Sequence, residues 1–385
     1  MKSLLKLTAV LAVLATPVFA AETVSVGHTI SVPSEVLGQD RRVHIHLPED
    51  YATAQNRHYP VIYSVGETRG FKAGAGLLDS LTHYRPIMPP VIYVVLASVP
   101  EDGGQIPVYE MTPKTKADRI LKFLEKDLIP YIDQNYRTHP YRILDGGHLT
   151  AVFGLYTLMT RPELFQAYIA TTPYLFRDDS VLIQMASDFF DKEQDLSAFL
   201  YLSINDERLR PYYDRFINIL EQQAPPTLDW HSVEYPEGRR QPPVLAWIDA
   251  LYRLFADQRL SDESVEFGAG AESIYSYYQD LSEDKYGYEI SAADALNELG
   301  SLHLERNETD KAIKVFAFSV GKYPNSAMLY DSLAAAFERA GRLGKAVESQ
   351  EMAVQNARAG LNYDDIHGVE LYEARLEELR AKKQN

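Results

Sequence analysis

Two seven-residue runs, Tyr59-Pro60-Val61-Ile62-Tyr63-Ser64-Val65 and Pro90-Val91-Ile92-Tyr93-Val94-Val95-Leu96, are apolar almost without a break. A strand with one face in water alternates apolar and polar residues, whereas a continuous apolar run belongs to a strand covered on both faces. Helices must therefore lie above and below the sheet that holds these strands. Apolar Ile120, Phe123, Leu124 and Leu128 share one face of a helix predicted from Lys116 to Tyr131. Further strands are expected at 42–47, 142–144, 167–170, 199–202 and 228–233, with a helix at 151–159. Strands alternating with helices predict an α/β chain built on a mostly parallel, doubly covered sheet.

At 385 residues the chain exceeds one ordinary core, so two domains are expected. Residues 1–20 read as a signal peptide: basic Lys2 and Lys6, an apolar stretch from Leu7 to Leu14, and small residues leading to cleavage after Ala20. The expectation is a soluble periplasmic or secreted protein with no membrane insertion. There are 54 acidic against 38 basic residues, a formal charge of −16, and that surface repels phosphate backbones, so nucleic acid is a poor partner. With no cysteine in the chain, disulfides and thiolate catalysis are excluded. No cofactor is called for.

The last hundred residues become rich in Ala, Leu and Glu and repeat at a period of 34. Leu299-Gly300 recurs as Leu333-Ala334, His303 as Phe337, Lys311 as Lys345, Ala312 as Ala346 and Val320 as Val354. With Tyr323-Pro324, this pattern resembles the tetratricopeptide repeat, a helix pair of the same length. Gln350 replaces Phe316 in the second copy, and a helix at 368–382 resembles a capping helix. Two copies are few for a free-standing array, so the module is expected to pack on the first domain or on another subunit. The division that follows is 21–265 for the α/β domain, 266–290 for a packing segment and 291–385 for the repeats. Tyr275, Tyr277, Tyr278, Tyr286 and Tyr288 are expected to form the packing surface between the two.

Lys126-Asp127-Leu128-Ile129-Pro130-Tyr131-Ile132-Asp133-Gln134-Asn135-Tyr136-Arg137-Thr138, then Tyr141 to Leu144, Leu155-Tyr156, Pro162 to Ala170, Tyr235-Pro236-Glu237 and Leu251 to Phe255 carry a resemblance. They are similar to the putative-esterase family, whose esterase D-like and ferric-siderophore esterases have the α/β-hydrolase fold. The resemblance implies that fold, and it locates the catalytic positions. Where the family has Gly-His-Ser-Leu-Gly-Gly, this chain reads Gly146-Gly147-His148-Leu149-Thr150-Ala151, so His148 stands at the nucleophile and Thr150 at the second glycine. The catalytic histidine's place in Glu237-Gly238-Arg239-Arg240-Gln241 is taken by Arg240. The acid's neighbourhood, Ser203-Ile204-Asn205-Asp206-Glu207, keeps carboxylates, with Asp206 at the acid position. The family's Leu-Asp-Gly is Val65-Gly66-Glu67, and its Arg-Asp-Leu-Thr-Pro is Tyr109-Glu110-Met111-Thr112-Pro113.

An acid lacking its base and nucleophile orients nothing. The expectation is a pseudo-esterase kept as a ligand-binding or protein-interaction scaffold, with a protein partner or self-association through the repeats. The alternative is an active ester or acyl hydrolase working through His148 or a relocated serine. His148 reads as a nucleophile, as a metal ligand, or as a polar side chain filling the vacated pocket on a turn whose strain is no longer used. The last is the reading taken, because histidine tolerates positive φ. No metal is assigned, and His44-x-His46 reads as the solvated face of a strand. Arg239 and Arg240 read either as holders of a small anionic or ester ligand in the old cleft, beside His148, or as surface ion-pair partners.

Overall fold

The computed structural model describes residues 25–65, 70–83, 86–97, 116–176, 180–192, 195–236, 244–360 and 363–384. The proposed signal peptide, the Gly66-Glu67 and Tyr109–Pro113 markers and the Arg239-Arg240 loop lie outside them.

Eight strands form one sheet: β1 (His28–Val32), β2 (Arg41–His46), β3 (Tyr59–Val65), β4 (Ile92–Leu96), β5 (Thr138–Gly147), β6 (Ala167–Thr171), β7 (Ala198–Ile204) and β8 (Leu228–Glu234). Their order is β1-β2-β4-β3-β5-β6-β7-β8. β1 and β2 run antiparallel and every pair from β4 onward is parallel. The ladder between β3 and β5 shifts register at Pro60, a residue with no N–H to donate.

Alternation along each strand sorts the side chains into two cores. Val61, Tyr63, Leu144, Tyr168, Ala170 and Leu200 point to one face. Helices α2 (Lys116–Phe123), α3 (Ile129–Asn135), α4 (Leu149–Thr160), α5 (Val181–Phe190) and α6 (Arg210–Gln223) supply apolar residues to that core. The predicted helix at 116–131 is present, but a π-helical turn at Leu124–Leu128 divides it into α2 and α3. Ile62, Tyr93, Ile143, Ile169, Phe199 and Tyr201 point to the other face. There they meet α1 (Phe71–His83) and α7 (Val244–Leu254).

Helix α1 also corrects the expectation for β2. His46 is buried, with its Nδ1 2.9 Å from the carbonyl of Val26 and its Nε2 3.0 Å from Asp79. His44 packs against the Phe71 ring at 5.2 Å and meets the Thr29 hydroxyl at 2.8 Å. This strand face is roofed rather than solvated, because the sequence motif could not reveal which helix crosses it.

The core on that sheet face continues into α8 (Val265–Ala269), α9 (Ala271–Asp280), α10 (Ala293–Glu305) and α11 (Thr309–Lys322), and α12 (Ala327–Arg339), α13 (Leu343–Ala359) and α14 (Tyr363–Gln384) follow with apolar clusters of their own. Tyr286 joins the two parts. Its hydroxyl donates to Asp257 Oδ1 at 2.7 Å and approaches the Leu254 carbonyl at 3.1 Å, and its ring lies 4.9 Å from that of Tyr141 on β5. Tyr275 packs edge-on against Phe318 and Tyr323 of the helical module. The 34-residue period corresponds to the pairs α10/α11 and α12/α13. A Cβ on Gly300 would lie 2.4 Å from the Phe316 ring, which explains the small residue there. Among the described residues, no helix is long and apolar enough to cross a membrane.

Ala312 is fully buried beside Ile313, Phe316, Leu333 and Ala336. Ala312→Glu would place an unpaired charge there and should cost about 3 kcal/mol. Chemical denaturation of the variant and the parent measures the difference, and equal midpoints would show that the site accommodates the carboxylate.

Candidate functional site

The carboxyl ends of β3, β5, β6 and β7 open on a cavity of about 1030 Å³. Ligands of open parallel sheets bind at this edge. Its geometry is set at the turn from β5 into α4. His148 lies between them with φ 56° and ψ −107°. That conformation lies outside the left-handed helical well that histidine tolerates, so tolerance of positive φ does not account for His148 here and the turn is strained. Such a residue costs on the order of 1–3 kcal/mol and persists only where its surroundings impose it.

Here they do. The His148 N–H donates to the Thr171 carbonyl at 2.9 Å, and the Tyr174 N–H reaches the His148 carbonyl at 3.3 Å. The Gly147 N–H donates to Thr150 Oγ1 at 2.9 Å, while the same hydroxyl returns a bond to the Gly147 carbonyl at 3.0 Å. Thr150, read as decay of the family's second glycine, is instead a clasp across the turn. Gly146 admits no side chain, since a Cβ would lie 2.4 Å from the Thr150 carbonyl group.

His148 is exposed to the cavity, with its ring 4.8 Å from that of Tyr174. Among the described residues no carboxylate or hydroxyl is hydrogen-bonded to that ring. Asp206 also lines the cavity, but Arg208 engages it through both nitrogens, Nε to Oδ1 at 2.9 Å and Nη2 to Oδ2 at 2.5 Å. Glu207 is held by Arg210 at 2.6 Å, and Arg210 also reaches Glu234 at 2.8 Å. The structure thus brings His148 and Asp206 to one cavity while committing the carboxylate to an arginine. Arg239 and Arg240 fall in residues 237–243, outside the described set. Tyr235, just before them, lines the cavity with its hydroxyl 2.9 Å from that of Tyr201, and both contact Asp249.

The floor holds a residue that motif reading missed. Asp145, one residue before the elbow glycine, pairs in register with Ser64 on β3 and accepts a hydrogen bond from its hydroxyl at 3.0 Å. Both line the cavity. Burial pushes the Asp145 carboxyl up to about 7, opposed only by the Ser64 bond. The available signal was a carboxylate inside the apolar strand Tyr141–Gly147, on the face that Ile143 shares with Ile62. Tyr93 and Trp247, from β4 and α7, stand in the wall with ring centroids 5.7 Å apart.

The folded chain holds the Asp145 proton at pH values where an unfolded carboxyl, near 3.8, has released it. Its stabilising contribution is therefore complete below about pH 4 and drains away as pH rises through about 7. Asp145→Asn, which cannot ionise, should gain on the parent by about 2 kcal/mol between pH 5 and pH 8. Denaturation at the two pH values measures this gain, and a pH-independent difference would refute the raised carboxyl.

Comparison with known proteins agrees with this geometry. The family model described as "Putative esterase" matches residues 34–240, more than half the chain. Ferri-bacillibactin esterase BesA of Bacillus subtilis (strain 168) is 32% identical over 91 residues, a match covering 23% of this chain and 27% of that enzyme. An IroE-like serine hydrolase from Shewanella oneidensis superposes with a TM-score of 0.63 at 22% identity, over 76% of this chain and 98% of its own. An uncharacterised protein from Capnocytophaga ochracea DSM 7271 superposes with a TM-score of 0.61 at 17% identity, over 92% of this chain and 99% of its own. These two likenesses establish the fold.

Proposed function

The chain belongs to the Putative esterase family, and we propose that it keeps that family's cleft as a ligand-binding body without serine-hydrolase chemistry. One observation carries the reading. The position aligned with the family's nucleophile is an imidazole tilted against the Tyr174 ring, in the lining of a cavity of about 1030 Å³. Serine attack needs a hydroxyl and a base to take its proton, and removing a triad member leaves only weak residual catalysis. His148 replaces the hydroxyl, Arg240 replaces the base in sequence, and Arg208 occupies the carboxylate of Asp206. The remaining parts of the proposal are export with cleavage after Ala20 and recruitment of a protein partner, or a second copy, through tetratricopeptide-like repeats at 291–385.

A second reading has one observation in its favour, the strain retained at His148. Imidazole forms covalent intermediates, and strained residues cluster at working sites. On this reading the chain hydrolyses an ester through His148.

The two readings part in a direct assay. Purified protein should hydrolyse short-chain p-nitrophenyl esters no faster than buffer and should not label with a fluorophosphonate probe. His148→Ser alone should remain inactive, because Arg240 cannot accept a proton at neutral pH. Turnover by the parent that His148→Ala abolishes would establish the second reading. Intact-mass analysis of periplasmic material tests export: the expected chain begins at Ala21, and full-length chain recovered from the cytosol would refute it.

A further inference from the structure

Asp145 is half-buried on the cavity floor at a strand end, where a carboxyl is poorly placed unless something meets it. Among the described residues its hydrogen-bond partner is the Ser64 hydroxyl, which leaves the negative charge uncompensated. Neighbouring strands add only neutral side chains on that row, Ile169 on β6 and Tyr201 on β7, and at the next inward-facing position Thr171 Oγ1 is turned to the Gly146 carbonyl at 3.3 Å. The described lining residues hold one permanent cation, Arg208, and it clasps Asp206. His148 stands at the rim against Tyr174. The walls carry Tyr93, Tyr174, Tyr235 and Trp247.

An unpaired carboxyl in a cavity lined by aromatic rings suits an organic cation. The carboxylate supplies charge and hydrogen-bond acceptors, and the ring faces attract the ammonium through their quadrupoles. A neutral or anionic ligand would leave that carboxyl buried without a counter-charge. We propose that the cleft binds an organic amine, with its ammonium group seated on Asp145 and Ser64 and its apolar part against Tyr93 and Trp247. The proposal rests on reading the cleft as a ligand site and names the chemical class that the site takes. Docking of the cation returns to Asp145 the ionised form that burial disfavours, which is why the raised carboxyl is a selective element and not only a cost. Arg208 does not supply the counter-charge, because its guanidinium forms a bidentate pair with Asp206.

Three probes of similar shape separate charge from apolar packing: phenethylamine, 2-phenylethanol and phenylacetate. Calorimetric titration at about pH 7.5, above the raised carboxyl value, should give phenethylamine an affinity at least about tenfold above 2-phenylethanol, with phenylacetate the weakest. Asp145→Asn should erase the preference, bringing amine and alcohol within about threefold, while binding of the alcohol changes by less than about twofold. Equal or tighter binding of the alcohol or the acid by the parent would overturn the proposal, as would absence of saturation by phenethylamine at millimolar concentration. A preference that survives Asp145→Asn would also overturn it. The parent measurements decide the matter even where the variant folds poorly. The same preparations, assayed with a p-nitrophenyl ester, keep the two claims apart: turnover lost in His148→Ala refutes the non-hydrolytic reading and leaves the amine preference standing.

Discussion

At the end of β5 the backbone of Gly146 presses on the carbonyl group of Thr150, with 2.4 Å between a would-be Cβ and that group. No other residue type fits, and from this contact the geometry of the site follows. It brings the first turn of α4 directly onto the strand, which forces the intervening residue out of the allowed backbone wells. His148 is therefore presented to the cavity, while the preceding Asp145 stays on the sheet face with Ser64. The Thr150 hydroxyl and the Thr171 carbonyl hold the turn in that state. The strained strand-to-helix turn is thus built with a histidine at its tip.

What fills the elbow changes the electrostatics of the cleft. An esterase site needs a proton acceptor oriented by a carboxylate. Asp206 instead closes a two-toothed pair with Arg208, and Glu207 joins a chain of charges through Arg210 to Glu234. The unbalanced carboxyl moves to the floor at Asp145, held only by a neutral hydroxyl. The cavity therefore has a carboxyl on its floor and an imidazole in its lining.

The helical module is part of the same body. Tyr286 bonds to Leu254 and Asp257 at the end of α7 and packs on Tyr141 of the sheet, and Tyr275 continues the contact to α11. Tyr278 and Tyr286 suit this place because each buries a ring while its hydroxyl meets a backbone carbonyl. Burial of these rings raises the Tyr141 and Tyr286 hydroxyls well above their usual range, so they stay neutral donors. The cavity wall at Trp247 belongs to α7, so the face that carries the repeats also braces the cleft.

Composition and periodicity were enough to determine the covered, mostly parallel sheet, because runs such as Tyr59–Val65 can be buried only between two layers. The 34-residue period likewise determined two matched helix pairs, and the residues around His148 aligned it with the position where the family has its serine. The buried state of His46 was hidden from the sequence, since an alternating strand says nothing of the helix that will roof it. Thr150 read as a lost glycine because a motif records residue types and not the bonds that a hydroxyl closes across a turn. Asp145 was missed for a related reason: its partner Ser64 lies 81 positions earlier and meets it only through the register of β3 on β5. Local pattern decided which segments are strands and helices. Only the tertiary structure decided which polar groups share a cavity, because those pairings depend on strand register and on the backbone strain that the packed sheet imposes.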